Sequence, residues 1–322
     1  MNLEQAENRK LLKVVSIEQL LSLEIPPRDN ILTPIITSQS ISMLYGIRGV
    51  GKTHFVIGIA LAVSGGGCFL KWRAEKPYNV LYIDGEMPAV VVQERFSRHI
   101  VSLDYEITGS LNIITPDLQK YGMPNLSTVD GQAAIEQHLD NVKLVILDNL
   151  STLCRSGKEN EGESWLPVQE WALRLRSKGI SILFIHHAGK AGLQRGTSRR
   201  EDVLDTVINL RRPADYHPSE GAKFEIHFEK ARGLYGDDVK PFEAMLTEKD
   251  GRLLWTYKDV EESLTEKVAH LFNEGFKPGE IAEELNIRSK GTVSKHRKKA
   301  LARGLIKDAN DVQCKKFPVS HI

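Results

Sequence analysis

The sequence predicts an α/β fold with a mainly parallel central sheet, followed by a small α-helical unit. Three observations predict it: apolar runs of strand length that alternate with helical ones, a glycine-rich loop where the first strong strand meets a helix, and a change near Tyr257 to short amphipathic segments. At 322 residues, 41% of them hydrophobic, the chain holds enough for one α/β domain and an appendage. No apolar run is long enough to span a bilayer, so no membrane role is expected. The first residues carry an acid and no apolar signal core, and Cys68, Cys154 and Cys314 form neither a disulfide framework nor metal-ligand spacing. A cytoplasmic location is therefore expected.

Taken in order, residues 16–24 place Ile17, Leu20, Leu21 and Leu23 at helical spacing and end in Pro26-Pro27, which predicts a short amphipathic helix packed on this chain or a neighbour. Next, Gly46-Ile47-Arg48-Gly49-Val50-Gly51-Lys52-Thr53 fits the phosphate-binding pattern G-x-x-x-x-G-K-[ST]. The flanks agree, because 42–45 reads as a buried strand and 54–62 as an apolar helix. A triphosphate needs backbone N–H groups converging on one concavity and closed by a positive helix N-terminus. Gly46, Gly49, Val50, Gly51, Lys52, Thr53 and His54 are the candidate ATP contacts. Lys52 would reach the β- and γ-phosphates, and the Thr53 hydroxyl would be a ligand of Mg²⁺.

Gly65-Gly66-Gly67 breaks the chain before a core strand over 78–83, which ends in Asp84-Gly85-Glu86-Met87-Pro88 and a helix over 88–99. A carboxylate at a strand's C-terminal end is where such sheets place reactive groups, so Glu86 is the candidate general base and Asp84 the alternative. An acid at a helix N-terminus, stabilised by the dipole, is the competing reading of Glu86. Residues 143–148 read as an apolar strand ending in Asp148, positioned to hold Mg²⁺; Asn149 follows where some ATPases carry their base, which adds weight to Glu86.

A further strand over 180–185 ends in His186-His187. Either ring could sense the γ-phosphate; metal binding by the pair lacks supporting ligands nearby. The following glycine-rich stretch includes Lys190, Arg195, Arg199 and Arg200, so it suits a phosphate-contacting loop or a solvated one. Strands over 203–210 and 223–229 follow, the second running into Lys230-Ala231-Arg232-Gly233. Cations at a strand end could act on an adjoining subunit's γ-phosphate, or be a sheet-edge charge pair.

In content and order these segments resemble the RecA-like hexameric helicase ATPases: the plasmid RepA type, the DnaB replicative helicases and the helicase half of phage primase-helicases. The resemblance covers roughly 26–257. It implies a homo-oligomeric ring, a hexamer in these relatives, with ATP and Mg²⁺ at subunit interfaces, Glu86 as catalytic glutamate and Lys230 with Arg232 inserted in trans. It makes the segment after the His pair a grip on single-stranded DNA, and it favours His187 over His186 as sensor. Arg95 matches a basic position of the plasmid helicases, while Arg48 departs from the small residues usual in the loop. Residues 1–30 leave no room for a primase segment, so priming is not expected.

Beyond Tyr257, three helical segments are predicted over 262–273, 278–285 and 291–303, the last two joined by a turn that fits a helix-turn-helix. This region resembles winged-helix regulators, with Gly304-Leu305-Ile306 starting a wing. The formal net charge of +1 hides a local excess: every charged residue from Arg288 to Arg303 is basic. Thr292, Ser294, Lys295, Arg297, Lys298 and Lys299 are expected to face duplex DNA, with a solvated basic helix as the alternative.

The expected organisation is an N-terminal helical segment over 1–30, a RecA-like ATPase and helicase domain over 31–258 and a helix-turn-helix domain over 259–322. The expected function is an ATP-dependent DNA helicase or translocase in plasmid, phage or mobile-element replication. A RecA-like regulator or recombination mediator that switches on ATP without unwinding is the alternative. A small-molecule kinase lacks an acceptor lid and leaves Lys230 and Arg232 unexplained.

Overall fold

A computed structural model describes residues 13–155, 162–189, 202–213, 216–287 and 289–306. Nine strands form one sheet: β1 (Ile41–Gly46), β2 (Asn79–Asp84), β3 (Leu111–Ile114), β4 (Val142–Asp148), β5 (Ser181–His187), β6 (Thr206–Arg211), β7 (Lys223–Ala231), β8 (Phe242–Lys249) and β9 (Arg252–Asp259). Their spatial order is β9-β8-β7-β6-β1-β5-β4-β2-β3. From β6 to β3 every pairing is parallel, and β7, β8 and β9 continue the sheet antiparallel. The mainly parallel sheet is as expected; the hairpin of β8 and β9 was not foreseen.

Helices cover both faces because the parallel strands are apolar on both sides. On one face lie α2 (Lys52–Gly65) and α3 (Ala89–Ile100), where Val56, Ile59, Tyr82 and Phe96 pack. α2 is apolar nearly all round and almost wholly buried, as such a composition requires. It is longer at both ends than the segment expected over 54–62. The opposite face is covered by α4 (Val129–Glu136), α5 (Leu150–Leu153) and α6 (Gly162–Ser177), through Ile135, Leu153, Trp171 and Leu175.

Before the sheet, α1 (Ile17–Ser22) is closed by a capping box in which Ser16 and Gln19 bond reciprocally. Among the described residues none of its own side chains is buried, with Ile17 61% and Leu21 79% exposed. After the sheet come α7 (Val260–Asn273), α8 (Pro278–Glu284) and α9 (Lys290–Ala302), whose small core is Val268, Leu271, Ile281, Leu285 and Val293. α7 is fastened to β8 by Glu243, which meets Lys267 at 3.0 Å and the Ser263 hydroxyl at 3.1 Å. The wing expected from Gly304 has no strand among the described residues, where 303–306 form turns and bends.

Strand order reverses at β1: the chain proceeds outward to β2 and β3, returns through β4 and β5, then crosses to β6 on the other side. A crevice forms at such a point, outside the C-terminal strand ends.

Candidate active site

The loop after β1 turns into α2 at Gly51, whose φ of 114° belongs to glycine. A Cβ there would also sit 2.9 Å from the Ala222 Cβ and 3.0 Å from the Phe224 ring. The turn opens the first, unpaired N–H groups of α2 toward a cavity of about 460 Å³. Its lining includes Lys52, Thr53, Asp84, Glu86, Asp148 and His187. Gly49, Gly51 and His54 line it as well, whereas the Val50 side chain is turned into the core, so Val50 offers only backbone.

Lys52 is buried, and its Nζ donates to the carbonyls of Gly46 at 3.0 Å and Ile47 at 2.9 Å. Burial pushes its pKa down to about 8, against the pull of Asp148 and Glu86. Asp148 is pushed up to about 6 by burial and then by Asp84, while Tyr82 and Thr53, donating at 2.9 and 3.1 Å, favour its charged form. A hydroxyl and a carboxylate converging here are the hard oxygen donors Mg²⁺ takes, and a cation would offset the cost of the buried charge. Thr53 and Asp148 thus fit the ion.

Asp84, also buried, accepts the backbone N–H groups of Glu86 and Met87 at 2.8 and 2.7 Å. This tight turn presents Glu86 at the cavity edge. Asp84 therefore builds the turn. The Glu86 carboxylate meets the Asn149 amide at 2.6 Å and lies 3.8 Å from the His187 Nε2. His186, one residue earlier on β5, is 1% exposed and is absent from the cavity lining. Strand alternation separates the doublet, so His187 alone faces the crevice.

Beside the phosphate loop, His54 Nδ1 and His99 Nε2 are 3.0 Å apart, joining α2 to α3. Burial, followed by nearby charged groups that include Arg95 and Arg98, lowers His54 to about 4 and His99 to about 3. Both rings are thus neutral when folded, whereas unfolded histidine titrates near 6.5. Between those values the unfolded chain binds more protons, so stability must fall as pH drops from about 6.5 toward about 4, by up to about 1.4 kcal/mol per pH unit for each ring. Urea unfolding at pH 7 and pH 5 should show a larger loss for the parent than for His99→Gln. An equal loss would contradict this.

Some site residues lay beyond sequence reasoning. Arg212, which does not line the cavity, donates to the Gly49 carbonyl at 3.2 Å and lies 4.4 Å over the Tyr216 ring, placing a cation behind the phosphate loop. Only its arrival one residue after β6, the strand paired with β1, could have signalled it. Asn149 was read only as the lack of an acid. Arg95 donates to the Met87 sulfur at 2.9 Å and does line the cavity, as does the exposed Arg48.

Other expected residues lie elsewhere. Lys230 is the penultimate residue of β7 and Arg232 follows the strand; neither lines this chain's cavity, and the exposed Arg232 guanidinium donates to the Asp202 carbonyl at 2.8 Å. Lys190, Arg195, Arg199 and Arg200 lie outside the described residues. The common DNA-facing surface expected on α9 needs correction. Lys295 and Lys299 are held by Glu261 at 2.8 and 2.6 Å, and Arg297 lies 5.0 Å from the Phe272 ring centre. At about 100° per residue, positions 295 and 297 point about 160° apart around the axis. Lys298 projects opposite the buried Val293, His296 and Ala300, with Ser294 beside it.

A family model described as an AAA domain matches residues 5–192, more than half of the chain. Among solved structures, the chain is similar to a KaiC-like protein from the hyperthermophilic archaeon Pyrococcus horikoshii OT3, at 16% identity and a TM-score of 0.49, over 72% of this chain and 96% of that one. With its phosphate loop, the Glu86 carboxylate and the oxygens of Thr53 and Asp148 gathered at one crevice, the chain belongs to the AAA domain family.

Proposed function

We propose that the chain is an ATP-dependent DNA helicase or translocase, working as a homo-oligomeric ring of six subunits in plasmid, phage or mobile-element replication. One observation bears most of the weight: the phosphate loop, Glu86, Thr53 and Asp148 line one cavity, while Lys230 and Arg232 stand outside it on the same chain. In the proposed ring these cations enter the neighbour's cavity. The uncovered apolar side of α1, with Leu20 43% exposed, supports a partner subunit as its cover.

In this reading Lys52 and the first turn of α2 bind the phosphates, and Thr53 and Asp148 would hold Mg²⁺, which when bound would supply charge neutralisation. Glu86 takes a proton from water as that water's oxygen bonds to the γ-phosphorus and the bond to the bridging β–γ oxygen breaks. His187, at the end of β5 and beside both the cavity and Glu86, senses loss of the γ-phosphate and passes it to residues 190–200, which follow it in the chain and grip single-stranded DNA. The helices beyond β9 act as a helix-turn-helix domain that recruits duplex DNA, with Lys298 and Ser294 on its free face.

Phosphate release measured with and without single-stranded DNA, alongside opening of a fluorescent forked duplex, tests the proposal. DNA should stimulate hydrolysis, and the fork should open only with Mg-ATP. Hydrolysis without unwinding would favour the ATP-switched regulator; hydrolysis indifferent to DNA, with no DNA binding, would remove the motor reading.

A further inference from the structure

Glu86 is an unusual base in one respect: its side chain is 60% exposed, and an exposed glutamate samples several rotamers. A base must instead be held in one geometry, since small misplacements of a reacting group are costly. Its strongest restraint is the 2.6 Å bond from Asn149 Nδ2 to Glu86 Oε2. Asn149 itself is 2% exposed, and its Oδ1 accepts the Thr152 N–H at 3.3 Å as the N-cap of α5. With its oxygen committed to the cap, the amide can present only its NH₂ group to Glu86.

The backbone is shaped for this meeting. The Gly85 N–H donates to the Asp148 carbonyl at 2.7 Å, drawing the end of β2 against the end of β4. A Cβ on Gly85 would lie 2.4 Å from the Thr152 hydroxyl oxygen and 2.8 Å from Leu153, so only glycine permits the approach.

We propose that Asn149 is a positioning residue for ATP hydrolysis: its buried amide holds one oxygen of Glu86 and leaves Oε1 to receive the proton of the attacking water. This rests on the reading of Glu86 as the base. Asn149 touches no reacting atom; it acts through Glu86.

Two replacements separate positioning from helix capping, because Ser and Asp cap as well as Asn. Asn149→Ser keeps an acceptor for the Thr152 N–H but loses the donor to Glu86, so kcat should fall about 10-fold with nucleotide affinity unchanged. Asn149→Asp keeps size and cap but sets a second carboxylate against Glu86, so kcat should fall further, about 100-fold. The expected order is Asn, then Ser, then Asp, read from steady-state kcat together with the Kd of a fluorescent ATP analogue and the melting temperature. A structural role would leave Asp equal to Asn. That result, or a faster Ser variant, would overturn the proposal while leaving the ATPase reading intact. A parent chain that binds ATP without hydrolysing it would end both.

Discussion

Glu86→Gln should lower ATP turnover about 10³-fold while leaving Mg-ATP binding close to that of the parent chain. Glutamine fills the same space, and its oxygen can still accept the Asn149 amide, so the cavity wall stays in place. What disappears is the ability to take a proton from water. The phosphate loop does not depend on residue 86: Lys52 is anchored by the Gly46 and Ile47 carbonyls, and Asp84 sets the turn through backbone N–H groups. Rapid-quench measurement of a single turnover, set beside equilibrium binding of a fluorescent ATP analogue, separates the two effects. Turnover within a few-fold of the parent would return Glu86 to the competing role of an acid stabilised at a helix N-terminus.

Arg232→Ala should lower turnover by about 10³-fold or more, the loss expected when a cation that stabilises transferring phosphate is removed. Stability should hardly change. The guanidinium is exposed and donates to the Asp202 carbonyl, a bond that contributes about 1 kcal/mol in such a setting. A variant that melts like the parent and hydrolyses like Glu86→Gln therefore reports chemistry. Because Arg232 does not line the cavity of its own chain, a large effect also reports a neighbour. Turnover preserved in Arg232→Ala would leave Lys230 and Arg232 as charges at a strand end.

Much of this was legible because local patterns name local structure. The phosphate-binding loop is contiguous in sequence, and β1, β2, β4 and β5 are apolar runs long enough to be read as strands, within one or two residues of their observed ends. Glu86 and Asp148 follow from their place at strand ends. The β8–β9 hairpin also had a signal, Asp250-Gly251, both with positive φ between the paired Lys249 and Arg252. It went unread because β9 is half-exposed, so its alternation is faint.

What the sequence hid was contact between distant segments. Asn149 looked like a missing acid, and its value as a donor exists only because β2 and β4 are neighbours in the sheet. Arg212 reaches the phosphate loop because β6 lies beside β1. The basic cluster of 288–303 read as one surface, but helical geometry divides it, and Glu261 and Glu262 of α7 pair with Lys295, Lys299 and Arg303 at the surface. A run of charge in sequence says nothing about the charges that will face it.

The shared site is the claim on which the ring and the motor both depend, and mixing two inactive chains tests it most directly. An Arg232→Ala chain keeps Glu86, and a Glu86→Gln chain keeps Arg232, so a neighbouring pair assembles one intact site. In an equimolar mixture, random neighbours complete about one quarter of the sites. Phosphate release measured across a titration of one variant against the other should therefore rise from near zero to a maximum at equal amounts, approaching that fraction of the parent rate. A mixture as inactive as its components at every ratio, in assemblies shown to contain both chains, would contradict the account.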